Sequence, residues 1–223
     1  VPIYLTLPRE VLGEPHETFS MSSPARRDLG GRLYPDPQAI EAAAAMLAAA
    51  DNPLIITGTS GRNADAVGHL VALAESFAIP VVEFNRRYLC FPTDHPLYLG
   101  VGNYKAVAHA DLVLLVGGRA PWYPARRRPT SGKIVAIHEN PLKGHMIYQN
   151  LHADLYLEGD VAESIKLLIA AVKSGKIDAA TVNARRQRWT REHETYIAGL
   201  RAEREKAQNG SGIDPLSLMG ALG

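Results

Sequence analysis

The stretch FPTDHPLYLG, Phe91 to Gly100, sets Asp94 beside His95. A carboxylate next to an imidazole is a pairing that can orient a general base or help hold a metal. A turn whose polar side chains bond only their own backbone uses the same residues. No nucleophile poised by strain or by a neighbouring base accompanies the pair, so a triad lacks its first member. On that ground Asp94 is expected to cap a turn, and Pro96 to fix the chain after His95.

A second group of residues suits anion binding. Gly58, Thr59, Ser60, Gly61 and Arg62 lie in GTSGRN, and Gly117, Gly118 and Arg119 form another glycine turn. Glycine lets backbone N–H groups approach a phosphate, and arginine adds charge and a fork of donors. Neither the G-x-G-x-x-G fingerprint nor a P-loop is present. Spacing alone leaves two readings open, a dinucleotide site or ordinary strand-to-helix turns. Arg126, Arg127 and Arg128 carry a similar ambiguity, between gripping the phosphates of an ADP or CoA moiety and forming a solvated charge run. Trp122 and Tyr123 either line a pocket or pack their own loop. His138, His145 and His152 recur every seven residues, but across strand, turn and loop, so no zinc site is expected from them.

These residues need a scaffold, and the pattern around them supplies one. Buried strands are expected at 54–57, 80–83, 112–116, 133–137 and 154–157. Between them run helices with legible caps. Asp36 with Pro37 opens YPDPQAIEAAAAMLAAADNP, Asn103 opens YKAVAHA, and Asp160 with Glu163 as capping-box partner opens DVAESIKLLIAAVKSG. The helix in NADAVGHLVALAESFAIP is expected to bury Val67, Leu70, Val71, Ala74 and Phe77. A charged helix from Ala179 to about Ala207 and the linker NGSG follow. Five apolar strands separated by crossovers predict an α/β, Rossmann-like open parallel sheet of five to six strands with helices on both faces. Ligands in such sheets bind beyond the carboxyl ends of the strands, where the glycine loops fall.

Composition bounds the rest. The chain has 223 residues, 46% of them apolar, which is enough for one substantial core. A net charge of +1 gives no global pull toward nucleic acid or membrane surfaces. One cysteine, Cys90, excludes an intrachain disulfide and fits a reducing cytoplasm. No apolar run approaches the roughly 20 residues of a membrane span.

In order along the chain, VPIYLTLPREVL, NPLIITGTSGRNADAVGHLVALAESFAIPVVE, PTDHPLYLG, ADLVLLVGGR, KIVAIHENP and ADLYLEGD resemble the middle of a thiamine-diphosphate-dependent enzyme. The group most resembled is the acetolactate synthase-like enzymes, with benzoylformate and oxalyl-CoA decarboxylases as cousins. These are built from a pyrimidine-binding, a central and a diphosphate-binding domain. The resemblance implies that residues 1–12 are the last strand of the first domain and 13–36 a linker. Residues 37–175 would be the central α/β domain, 176–208 a charged helix and linker, and 209–223 the start of the diphosphate-binding domain. The chain is then expected to be a piece of a larger protein, flanked by those two domains. The whole is implied to be a cytoplasmic homodimer or homotetramer, a lyase or transferase acting on a 2-keto acid or related acyl donor, with no nucleic-acid or membrane partner.

The same resemblance places the catalytic elements elsewhere. The glutamate that activates the cofactor's aminopyrimidine belongs to the first domain. The Gly-Asp-Gly…Asn motif for the diphosphate and Mg²⁺ belongs to the last. The one Gly-Asp here, Gly159-Asp160, is followed by Val161 and reads as a helix cap. The chain alone is therefore expected to bind neither thiamine diphosphate nor Mg²⁺ and to do no chemistry, and FPTDHPLYLG becomes a loop closing over the sheet. Relatives carry FAD or ADP in this domain, with acids in a strand-end pattern like Ile-Asp-Ile-Asp-Pro. Here His138 and Asn140 replace the aspartates. A lost charge-assisted bond to ribose is worth roughly 1.5–3 kcal/mol. FAD or ADP is accordingly not expected, while phosphate or sulfate on the glycine loops is. The alternative is a free-standing nucleotide-binding module, electron-transfer flavoprotein-like or sirtuin-like. A third reading is a degenerate domain kept for assembly.

Overall fold

The computed structural model describes residues 4–15, 18, 20, 23, 31–122, 127–143, 152–175, 177–208, 215 and 218–219. Six strands form one sheet: β1 (Pro53–Thr57), β2 (Val81–Glu83), β3 (Tyr98–Val101), β4 (Leu112–Val116), β5 (Lys133–His138) and β6 (Leu155–Glu158). Their order is β3-β2-β1-β4-β5-β6, and every pairing is parallel. The helices are α1 (Arg9–Gly13), α2 (Pro37–Ala49), α3 (Ala64–Phe77), α4 (Tyr104–His109), α5 (Val161–Gly175) and α6 (Ala179–Gln208).

The sheet is buried on both faces, which is why β1 and β4 are unbroken apolar runs rather than alternating ones. Helices α2, α3 and α5 pack together on one side. The crossover from β3 back to β4 carries α4 over the other side, as right-handed connections require. All five expected strands are present. The sixth, β3, lies in the stretch expected to be a loop, so FPTDHPLYLG turns through its first half and ends in an edge strand.

The caps form as expected for the most part. The Asp36 carboxylate accepts the Gln38 N–H at 3.0 Å, and the Asn103 side chain accepts from Ala106 at 3.1 Å. Asp160 Oδ1 accepts the Glu163 N–H at 3.0 Å, but the capping box is only half made. The Glu163 carboxylate turns outward to Arg32 at 2.9 Å, and the Asp160 N–H donates to the Leu33 carbonyl instead. The buried face of α3 is also rotated from expectation. Ala66, Leu70, Leu73, Ala74 and Phe77 are buried, while Val67 and Val71 are half-buried, because α5 packs beside α3 and shifts the covered stripe.

Residues 1–31 form a separate unit. Within its described part, Tyr4–Pro8 pair with no strand and Arg9–Gly13 is helical. Tyr4, Leu5, Leu7, Val11 and Leu12 are all exposed. Half of the expected linker, 13–36, and most of 209–223 lie outside the described residues, as do Tyr123, Arg126 and His145.

Candidate functional site

The strand order reverses direction between β1 and β4, and in open parallel sheets the region beyond the carboxyl ends at such a point is where ligands bind. Register puts Thr57 beside Val116, and Val116 beside Ile137. The loops beginning at Gly58, Gly117 and His138 therefore leave the sheet side by side. All nine expected site residues, Gly58, Thr59, Ser60, Arg62, Gly117, Gly118, Arg119, His138 and Asn140, lie on these three loops or at their mouths.

The two glycine loops are hydrogen-bonded to each other. The Thr59 N–H donates to the Gly117 carbonyl at 2.8 Å, and the Thr59 hydroxyl donates to the same oxygen. The Gly117 N–H donates to Ile137 at 3.0 Å. Ser60 to Arg62 is a 3-10 turn, with the Arg62 N–H on Thr59 and the Asn63 N–H on Ser60. These four N–H groups are occupied. The glycines also have packing reasons. A Cβ on Gly58 would lie 2.3 Å from the Phe84 carbonyl oxygen, and one on Gly61 would lie 2.0 Å from that of Leu89. Gly117 sits at φ +55°, where a Cβ would meet Ser60 backbone at 3.0 Å. Only Gly118 leaves ordinary contact distance, 3.6 Å or more.

What the loops offer an anion is mainly side-chain charge. Arg62 and Arg119 are exposed, and neither has a bonded acid or carbonyl among the described residues. His138 closes β5, and its Nδ1 accepts the Asn140 N–H at 2.9 Å. Burial, followed by the charges of Lys143 and Arg62, holds its pKa below the usual histidine value, with Glu139 opposing. The imidazole is thus neutral near pH 7, and its Nδ1 cannot donate to Glu139 Oε2 at 3.4 Å. Asn140 Oδ1 accepts the Lys143 N–H at 2.9 Å, which commits that oxygen to its own turn.

Lys143 was not singled out by sequence. It is 9% exposed, sits at φ +45°, and burial pushes its pKa down, with Arg119 reinforcing and Glu139 opposing. Its signal was faint: an ordinary-looking lysine just after a Pro-Leu pair. Glu83 was also missed. It is fully buried at the end of β2, where its carboxylate accepts from Tyr98 Oη at 2.8 Å and the Cys90 N–H at 3.2 Å, with Arg86 at 3.4 Å. An acid inside a strand covered on both faces was the available clue.

The remaining candidates are structural. His95 Nδ1 accepts the Leu97 N–H at 3.1 Å, its Nε2 faces Glu75 Oε1 at 3.4 Å, and its ring stands edge-on to Phe91. The imidazole, not the Asp94 carboxylate, holds the turn; Asp94 is exposed and bonds nothing among the described residues. Arg127 stacks over Tyr104 at 4.4 Å, and Arg128 donates to the His152 carbonyl at 2.8 Å. Trp122 is 1% exposed and packs into the core.

Comparison with known proteins adds an independent line. Residues 40–168, more than half of the chain's 223, match the family model described as thiamine pyrophosphate enzyme, central domain. A probable 2-ketoarginine decarboxylase of Pseudomonas aeruginosa is 30% identical over 91% of this chain and 34% of its own length. A probable acetolactate synthase large subunit of Methanocaldococcus jannaschii is 30% identical over 77% of the chain and 31% of its own length. Among solved structures, a protein from Mycobacterium smegmatis assigned as thiamin diphosphate-dependent superposes with a TM-score of 0.57 at 26% identity, over 66% of this chain and 30% of that one. The chain thus spans about a third of the length of the relatives it matches.

Proposed function

Because the chain belongs to the thiamine pyrophosphate enzymes through their central domain, we propose that it is the non-catalytic scaffold of an enzyme acting on a 2-keto acid or related acyl donor. The bound cofactor would supply a carbanion that adds to a carbonyl and holds the electrons after loss of CO₂. The observation that carries the scaffold reading is the fate of Gly159-Asp160. Asp160 Oδ1 is committed to capping α5, so the single Gly-Asp dipeptide does not fit a diphosphate with Mg²⁺. No three His, Cys, Asp or Glu residues gather as a metal site among the described residues. The chain's own contribution is the sheet, its flanking contacts with pyrimidine-binding and diphosphate-binding domains, and the loops beyond β1, β4 and β5.

Calorimetric titration of the protein with thiamine diphosphate and Mg²⁺ tests the scaffold reading. No stoichiometric heat is expected, and micromolar one-to-one binding would overturn it. The relatives named above divide between a decarboxylase and a synthase, and both outcomes remain within this reading.

At the crevice, a phosphate-bearing ligand would lay its anion between Arg62 and Arg119, with its far end toward His138 and Asn140. There it meets a neutral imidazole and an amide oxygen already in use. We therefore expect colourless protein without FAD. An absorbance scan through the near ultraviolet and blue checks this, and a near-equimolar flavin spectrum would refute it.

A further inference from the structure

We propose that the buried Glu83 is a positioning residue: its carboxylate holds the loop of residues 84–90 against the first glycine loop, and so sets the affinity of the strand ends for phosphate. The proposal rests on the anion reading given above and names a residue that controls it without touching the ligand. Glu83 ends β2 beside Thr57, the last residue of β1. Its carboxylate ties the 84–90 loop near both ends. Oε1 accepts the Cys90 N–H at 3.2 Å, and Oε2 takes Arg86 at 3.4 Å. Oε2 also accepts the Tyr98 hydroxyl at 2.8 Å, which anchors the carboxylate to β3. Glu83 is fully buried, so a lost partner is not replaced by solvent.

The loop so held presses on Gly58 and Gly61. The Arg87 N–H donates to the Gly58 carbonyl at 3.1 Å, and the Phe84 N–H to that of Thr57 at 2.9 Å. A Cβ on Gly61 would lie 2.0 Å from the Leu89 carbonyl oxygen and 3.1 Å from the Tyr88 Cβ. On its other side the same glycine loop is bonded to Gly117 through Thr59. Arg62 therefore follows a turn gripped from two sides, and one grip is fastened by the Glu83 carboxylate. Two effects follow when that grip is released. The Gly58 carbonyl loses its donor, and a free carbonyl oxygen repels an anion. The Ser60–Arg62 turn loses its backing, so it must be ordered again as phosphate binds, which lowers affinity. Glutamine at position 83 brings this about at nearly the same volume. Its amide has one acceptor oxygen where three donors converge, and of the three only the Tyr98 hydroxyl can turn round to accept.

Calorimetric titration with inorganic phosphate provides the test, comparing Glu83→Gln with Tyr98→Phe. The second variant removes the anchor on β3 but no bond to the 84–90 loop. Coupling through a packed network is worth a factor of about two to thirty, so Glu83→Gln should weaken phosphate binding within that range while Tyr98→Phe leaves Kd within about twofold. Hydrogen exchange at the Arg87 and Cys90 amides should quicken in the first variant alone. Equal phosphate affinity in the unsubstituted protein and Glu83→Gln overturns the proposal and spares the anion reading. Equal weakening in both variants also overturns it, because a general loss of packing is then the cause. If the unsubstituted protein takes up no phosphate, the anion reading falls and this proposal with it. Should Glu83→Gln fail to fold, Glu83→Met combined with Tyr98→Phe supplies the same test, since an apolar pair of similar shape keeps the core filled. Undiminished phosphate affinity in that protein is equally fatal.

Discussion

The two ends of the sheet carry the same residue type put to opposite uses. At the amino ends of the strands, Arg185 and Arg186 of α6 donate to the carbonyls of Ala50 and Glu75, and Arg188 to the Asn52 side chain at 3.2 Å. At the carboxyl ends, the side chains of Arg62 and Arg119 bond nothing among the described residues. The difference follows from chain direction. Helices run opposite to the strands, so α2 and α3 end in free carbonyls at one end of the sheet, where a cation finds acceptors. At the other end helices begin, presenting N–H groups that offer a cation nothing and an anion much. An arginine in the first region is structure. In the second it stands exposed, with its side chain uncommitted among the described residues.

Removing one arginine from each end is the most direct way to break that contrast. Arg185 is buried against the charges of Asp111 and Asp51, and Asp111 itself holds the Asp51 and Asn52 N–H groups at 2.6 and 2.9 Å. Arg185→Ala should cost roughly 2–4 kcal/mol by urea unfolding, whereas Arg119→Ala should stay within about 0.5 kcal/mol. Similar losses from both would end the distinction. Glycine substitutions sharpen it next. Gly61→Ala drives a methyl into the Leu89 carbonyl and should cost about 1–3 kcal/mol. Gly68→Ala, in open space on α3, should instead gain about 0.5–1 kcal/mol.

Ligand linkage separates the ends by another route. Phosphate at ten times its Kd should stabilise the protein by about 1.4 kcal/mol. The doubly substituted Arg62→Gln, Arg119→Gln protein should lose that gain, and Arg188→Gln should keep it. The smallest effect is the pH response of His138. Its folded pKa lies below 6.5, so the unfolded chain binds the extra proton first. Stability is full above 6.5 and falls as pH drops through the lowered value, and His138→Asn should flatten that slope. Tyr98 behaves oppositely: burial, then Glu83, raises its pKa, so stability holds below pH 10 and declines above it.

The scaffold was legible where residues act locally. Short apolar runs rich in β-branched residues, such as Leu112–Val116, fit strands buried on both faces, and Asp36, Asn103 and Asp160 announce helices by side chains that reach their own next turn. Strand β3 was not legible, since four residues between Pro96 and Gly102 look like a loop until β2 supplies a partner. The site was legible as positions but not as donors. That the Thr59 N–H serves Gly117 and that Leu89 fills the space beside Gly61 are both contacts across loops. No spacing rule encodes them.

Strand β3 has one further consequence, which concerns the order of synthesis. Its outer side is covered by α6: His193 Nδ1 bonds the Tyr98 carbonyl at 2.7 Å, and the Tyr196 ring occupies the space a side chain at Gly100, φ +89°, would need. That cover is made last, long after the strand it shields. While the chain leaves the ribosome, the sheet grows outward from β1 with one border bare, and an uncovered strand border is a template for another chain. A nascent chain stopped before Ala179 would carry that border permanently. Crowded polysomes are therefore the setting in which this domain is most exposed to pairing with its own copies, and α6 is the segment whose arrival ends the exposure.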